Sequence, residues 1–115
     1  MEEIKTEDYH IGYDAQTAIL FCKGSLRLSG MKEYAPVVQF FHQVVEAEPP
    51  LLKFNLRGLE FLNSSGINVL SKFIIKVRQK KSVAMLVQGS LSIPWQSKSL
   101  KNLRRLMPTL ELEWE

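Results

Sequence analysis

At 115 residues the chain is long enough for one domain with a single core and too short for two, so residues 1–115 are expected to form one unit. Hydrophobic residues at 45% and charged residues at 23% are ordinary globular values. No run approaches the roughly 18 to 20 apolar residues of a membrane span, and the acidic start Met1-Glu2-Glu3 does not read as a signal peptide, so a cytoplasmic protein is expected. The net charge of +3 is uneven: residues 1–52 hold four basic and eight acidic side chains, whereas residues 53–105 hold eleven basic ones and Glu60 as the sole acid.

Tyr9 to Tyr13 alternates and stops at the polar turn Asp14-Ala15-Gln16, and Thr17 to Lys23 is rich in β-branched and aromatic residues, so the two predict a hairpin. Cys22 lies in the second of these strands. It has no partner for an internal disulfide or a CxxC metal site, and reads as a core residue. After the short alternating piece Leu26-Arg27-Leu28, Ser29-Gly30 breaks the chain. A helix follows over about residues 33–47, with Pro36 in its first turn and Tyr34, Val37, Val38, Phe41, Val44 and Val45 on the apolar face; Pro49-Pro50 ends it. His42 falls on the other face, and both it and His10 lack a neighbouring nucleophile motif, so neither reads as catalytic.

Leu51 to Leu56 is an apolar run that suits a central strand buried on both faces. A polar loop through Gly58 leads to Asn63-Ser64-Ser65-Gly66, and then Ile67, Leu70, Ile74 and Val77 recur at helical spacing. Two serines therefore stand where a helix begins, at the unpaired N–H groups and positive end of its dipole. On the same helix Lys72, Lys76 and Lys80 form a solvent stripe. Ser82 to Val87 is the next strand, and a helix that starts between Pro94 and Ser99 carries Leu100, Leu103 and Met107 before Pro108 ends it. Leu110, Leu112 and Trp114 alternate with glutamates in a half-exposed last strand. The order β-β-α-β-α-β-α-β predicts an α/β domain: a small mixed sheet of about five strands, largely parallel after the N-terminal hairpin, packed with helices.

The apolar strand followed by Asn63-Ser64-Ser65-Gly66 and a helix resembles the sulfate-transporter and anti-sigma-antagonist (STAS) domains, which carry a strand, then Asp-Ser-Ser-Gly, then a helix. Gly24-Ser25-Leu26 is similar to that family's Gly-x-Leu step after its second strand, and the order of elements extends the resemblance over roughly the whole chain. The departure is Asn63 where the family has Asp. Trp95-Gln96 matches none of its motifs. The resemblance implies a regulatory protein-binding domain like the anti-sigma factor antagonists, acting by partner switching. Its partners would be an anti-sigma factor that is itself a serine kinase of histidine-kinase-like fold, and a serine phosphatase. The phosphoacceptor carries over to Ser65, and Asn63, Ser64, Ser65, Gly66 and Arg57 become the partner-binding candidates, with Arg57 and Lys53 placed to steady a phosphate.

Other readings stand beside it. Ser64 and Ser65 can be plain helix caps. The module can bind a partner without being phosphorylated, since Asn63 can hydrogen-bond but supplies no charge. A small ligand or nucleotide can use the helix start as an anion seat, against which stands the single glycine. Walker A, GxGxxG, HExxH and Gly-x-Ser-x-Gly are all missing, so no enzyme, cofactor or catalytic residue is expected. The basic middle carries no nucleic-acid-binding signature, so direct contact with nucleic acid is not expected.

Overall fold

In the computed structural model, which describes residues 2–115, the chain runs β1 (Glu2–Lys5), β2 (Tyr9–Asp14), β3 (Ile19–Leu26), α1 (Gly30–Glu46), β4 (Leu51–Leu62), α2 (Ser64–Gln79), β5 (Ala84–Gly89), α3 (Gln96–Arg104) and β6 (Glu111–Trp114). The predicted hairpin is β2 and β3, paired antiparallel from Tyr9 opposite Gly24 to Asp14 opposite Ile19. At its turn the Asp14 carboxylate accepts the Gln16 N–H at 3.0 Å. The sheet has six strands rather than five, because β1 adds an antiparallel edge strand to β2. Its sequence Glu-Glu-Ile-Lys contains one apolar residue, so no alternation announces it; Ile4 lies opposite Ile11 and Glu3 meets the His10 ring at 2.8 Å.

From β3 to β6 every neighbouring pair is parallel, and the strand order in space is the order in sequence. Each right-handed crossover therefore steps the same way along the sheet, which puts α1, α2 and α3 on one face. This corrects the expectation that Leu51 to Leu56 is covered on both sides. The strand is central, with Leu52, Phe54, Leu56, Leu59 and Leu62 buried under the helices, but Lys53, Asn55 and Arg57 point to the open face and are only partly covered. It also runs on to Leu62, where a polar loop was expected. Phe41 of α1, Phe54 of β4 and Phe73 of α2 hold the layers together, with ring centroids 4.7 to 5.7 Å apart. Each such ring is worth roughly 1.5–3 kcal/mol of burial.

The helices differ from expectation at their ends. α1 begins at Gly30 with Ser29 as cap residue, whose N–H donates to Glu33 Oε1 at 2.9 Å, so Pro36 sits inside the helix rather than in its first turn. On α2 the buried set is Gly66, Val69, Leu70, Phe73, Ile74 and Val77, while Ile67 is only partly covered. α3 ends at Arg104, and Met107 is buried in the turn beyond it.

Trp95-Gln96 has a structural task. β5 pairs only with Leu51–Asn55, which leaves the later half of β4 without a neighbour on that side. There the Gln96 side chain, fully buried, donates to the carbonyls of Leu56 at 2.7 Å and Leu59 at 3.0 Å and accepts the Ser90 N–H at 2.8 Å. The Trp95 indole donates to the Leu59 carbonyl as well. One amide and one indole thus stand in for the missing strand.

Candidate functional site

β3 and β4 run side by side to the same end of the sheet, with Ser25 opposite Phe61 and Leu26 opposite Leu62. The segment leading into α1 and the start of α2 therefore lie together. Asn63 joins them. Its side-chain oxygen accepts the Gly66 N–H at 2.9 Å and the Tyr34 hydroxyl at 2.8 Å, and its side-chain nitrogen donates to the Leu28 carbonyl at 2.8 Å. Its backbone N–H donates to the Leu26 carbonyl at 3.3 Å, and its carbonyl accepts the first helical bond, from Ile67. The cap of α2 is thus Asn63, and the reading of Ser64 and Ser65 as caps is corrected: they occupy the first two helical positions.

Ser64 is exposed and Ser65 half-buried. Among the described residues neither hydroxyl has a hydrogen-bond partner and neither backbone N–H has an acceptor, since Asn63 takes the third N–H of the helix. Gly66 is required by crowding. A methyl group there would run into Leu62 Cδ1 and lie 2.8 Å from the Tyr34 hydroxyl. Burial raises the pKa of Tyr34, so the phenol keeps its proton.

The structure does not bring Arg57 to this group. Its guanidinium is engaged on the open face, with Nη2 3.0 Å from Glu113, Nε 3.3 Å from the Gly89 carbonyl and 3.4 Å from Glu115. The Glu113 carboxyl is held below its usual range by the Gln88 amide and then by Arg57. Lys53 lies near the far end of β4. The basic residue that lies toward this end of β4 is Arg27, whose guanidinium stacks 4.5 Å over the Phe61 ring. Phe61 and Met31 are exposed apolar residues, at 41% and 45%. The alternation of Leu26-Arg27-Leu28 hinted at a strand end, but only the parallel register, with Leu26 opposite Leu62, carries Arg27 to the end of β4 and onto Phe61.

The remaining reactive groups lie elsewhere. Cys22 is fully buried, which pushes its thiol pKa well up and leaves it inert. His10 is bonded to Glu3, and exposed His42 borders a cleft between α1 and α2 lined by Met31, Val38, Phe41, Val69, Lys72 and Phe73. Among the described residues no cluster of His, Cys, Asp or Glu is placed to hold a metal ion, and no helix is long and apolar enough to cross a membrane.

No protein-family model and no curated protein matches the sequence. Solved structures do. SiaC of Pseudomonas aeruginosa superimposes with a TM-score of 0.73 at 14% identity, covering 100% of this chain and 98% of that one. A chain from the crystal structure of the diguanylate cyclase SiaD in complex with its activator SiaC, from the same organism, gives 0.75 at 14% identity, with both chains covered completely. An anti-sigma factor antagonist from Mycobacterium paratuberculosis gives 0.67 at 20% identity, over 93% of this chain and 88% of that one. The chain therefore has the STAS-like fold that SiaC and this anti-sigma factor antagonist share.

Proposed function

We propose that this protein is a non-enzymatic regulatory domain that binds a protein partner over the start of α2, and that phosphorylation of Ser65 controls the binding. The observation that carries the reading is the state of Ser64 and Ser65: hydroxyls without partners at a helix start, ahead of two backbone N–H groups with no protein acceptor, with exposed Phe61 three residues before Ser64 and exposed Met31 bordering the α1–α2 cleft with Val69. A phosphate there adds about −1.5 to −2 charges. The isolated domain tolerates them, because the helix dipole and the two N–H groups favour an anion. An interface packed over the serine does not, because it would have to bury the charge.

Such a switch needs a serine kinase and a serine phosphatase in addition to the regulated partner, and an anti-sigma factor of histidine-kinase-like fold would combine the first and last of these. A second reading is binding without phosphorylation; SiaC, the activator of a diguanylate cyclase, supports a regulatory protein partner under either reading.

The test uses wild type, Ser65→Ala and Ser65→Asp as baits, with mass spectrometry of bait and prey and binding titration against the purified partner. Ser65→Asp is expected to weaken the complex strongly, while its melting temperature stays close to wild type or rises slightly, since a negative side chain in the first helical turn contributes about 0.3–1 kcal/mol. Equal affinity of wild type and Ser65→Asp would remove the switch and leave the constitutive binding module. A melting temperature that falls in both variants with affinity unchanged would reduce Ser65 to a structural residue.

A further inference from the structure

Asn63 makes three side-chain hydrogen bonds into three different parts of the chain: to Gly66 in α2, to Tyr34 in α1, and to Leu28 in the segment between β3 and α1. The direction of these bonds is fixed by chemistry. The Gly66 N–H can only donate and the Leu28 carbonyl can only accept, so the residue between them must offer an acceptor and a donor at once. A neutral amide does so. An ionised carboxylate of the same shape keeps the bonds to Gly66 and Tyr34 but turns its second oxygen toward the Leu28 carbonyl, at a position where the amide nitrogen now sits 2.8 Å away. Two acceptors at that distance repel, and the Leu26–Leu28 segment is left with only the Tyr34 hydroxyl, 3.2 Å from the Leu26 carbonyl, as a side-chain tether. The same amide also decides which helix-start donors remain free: by taking the Gly66 N–H it leaves those of Ser64 and Ser65.

We infer that Asn63 is a positioning residue, a latch whose uncharged amide holds the Leu26–Leu28 segment against the start of α2; an ionised carboxylate at position 63 would still cap the helix but would release Leu28. This rests on the proposed docking role for its use, because the tethered segment contains Arg27 and leads into exposed Met31. Its physical content is read on the isolated protein, so the latch can fail while the docking role stands, and the reverse.

The experiment is amide hydrogen exchange on wild type and Asn63→Asp, expressed as protection relative to the unfolded chain at each pH. At pH 7.5 the N–H of residue 63, bonded to the Leu26 carbonyl, and that of Ser29, bonded to Glu33 Oε1, should lose about tenfold in protection in Asn63→Asp, the size of one lost hydrogen bond. A protonated carboxyl can donate to Leu28. Protection in the variant is therefore present below its carboxyl pKa and lost as the pH rises through it, so exchange followed downward from pH 7.5 should converge on wild type once that carboxyl, titrated by NMR in the same variant, is protonated. Unchanged protection at pH 7.5, or a loss of the same size with the carboxyl protonated, would overturn the latch. A second measurement needs only wild type: the side-chain amide protons of Asn63 should exchange more slowly than those of exposed Asn102. Equal rates would overturn the proposal even if Asn63→Asp did not fold.

Discussion

Two polar clusters cap opposite faces of the same sheet, and they are built on opposite principles. On the open face Arg57 gathers Glu113, Glu115 and the Gly89 carbonyl, with charges on both sides and the glutamates 50% and 75% exposed. At the start of α2 no charge takes part: Asn63, Tyr34 and four backbone groups share directional bonds in a half-covered site. Exposed ion pairs are screened and contribute about 0–1 kcal/mol, whereas a satisfied half-buried network makes each lost partner costly. The difference teaches that Arg57, the basic residue that precedes the serines on β4, is not the one that organises them. An uncharged amide does that.

The largest break attacks the layer on which both clusters stand. Leu56 is completely buried in β4, and Leu56→Asp places a carboxylate in the core at about 4 kcal/mol or more. Thermal melting should show no cooperative transition near that of wild type, and a wild-type curve would contradict the core assignment. Asn63→Ala separates the two clusters. Loss of the cap together with the stranded Leu28 carbonyl should cost about 2–3 kcal/mol, measured by urea denaturation.

Arg57→Gln should cost less than about 1 kcal/mol, and less still at high salt. Its sharper signature is acid dependence. The Glu113 carboxyl is lowered in the folded protein, so its contribution is present above the unfolded carboxylate pKa and lost as the pH falls through the folded one. Removing Arg57 should flatten the loss of stability in the acid range while the Gln88 part remains. A loss for Arg57→Gln as large as that for Asn63→Ala would erase the contrast between the clusters.

The run Leu51 to Leu56 was legible as a strand but not as one covered on a single face. Periodicity alone was enough to read the β2–β3 hairpin, the apolar face of α2 and the alternation of Leu110, Leu112 and Trp114. In each of these, local pattern and tertiary burial agree, because the residues that face the core recur at the period of the element that carries them. Three features were out of its reach for one shared reason. β1 exists only because β2 offers it an edge, α2 is capped by Asn63 rather than by a serine because Tyr34 and Leu28 come to meet that amide, and Arg57 lies apart from Ser65 because all three crossovers turn the same way. Residue types and their spacing specify which faces must be buried. Which polar partners meet once they are buried depends on the register and handedness of strands far apart in the chain, and those are settled only when the sheet is assembled.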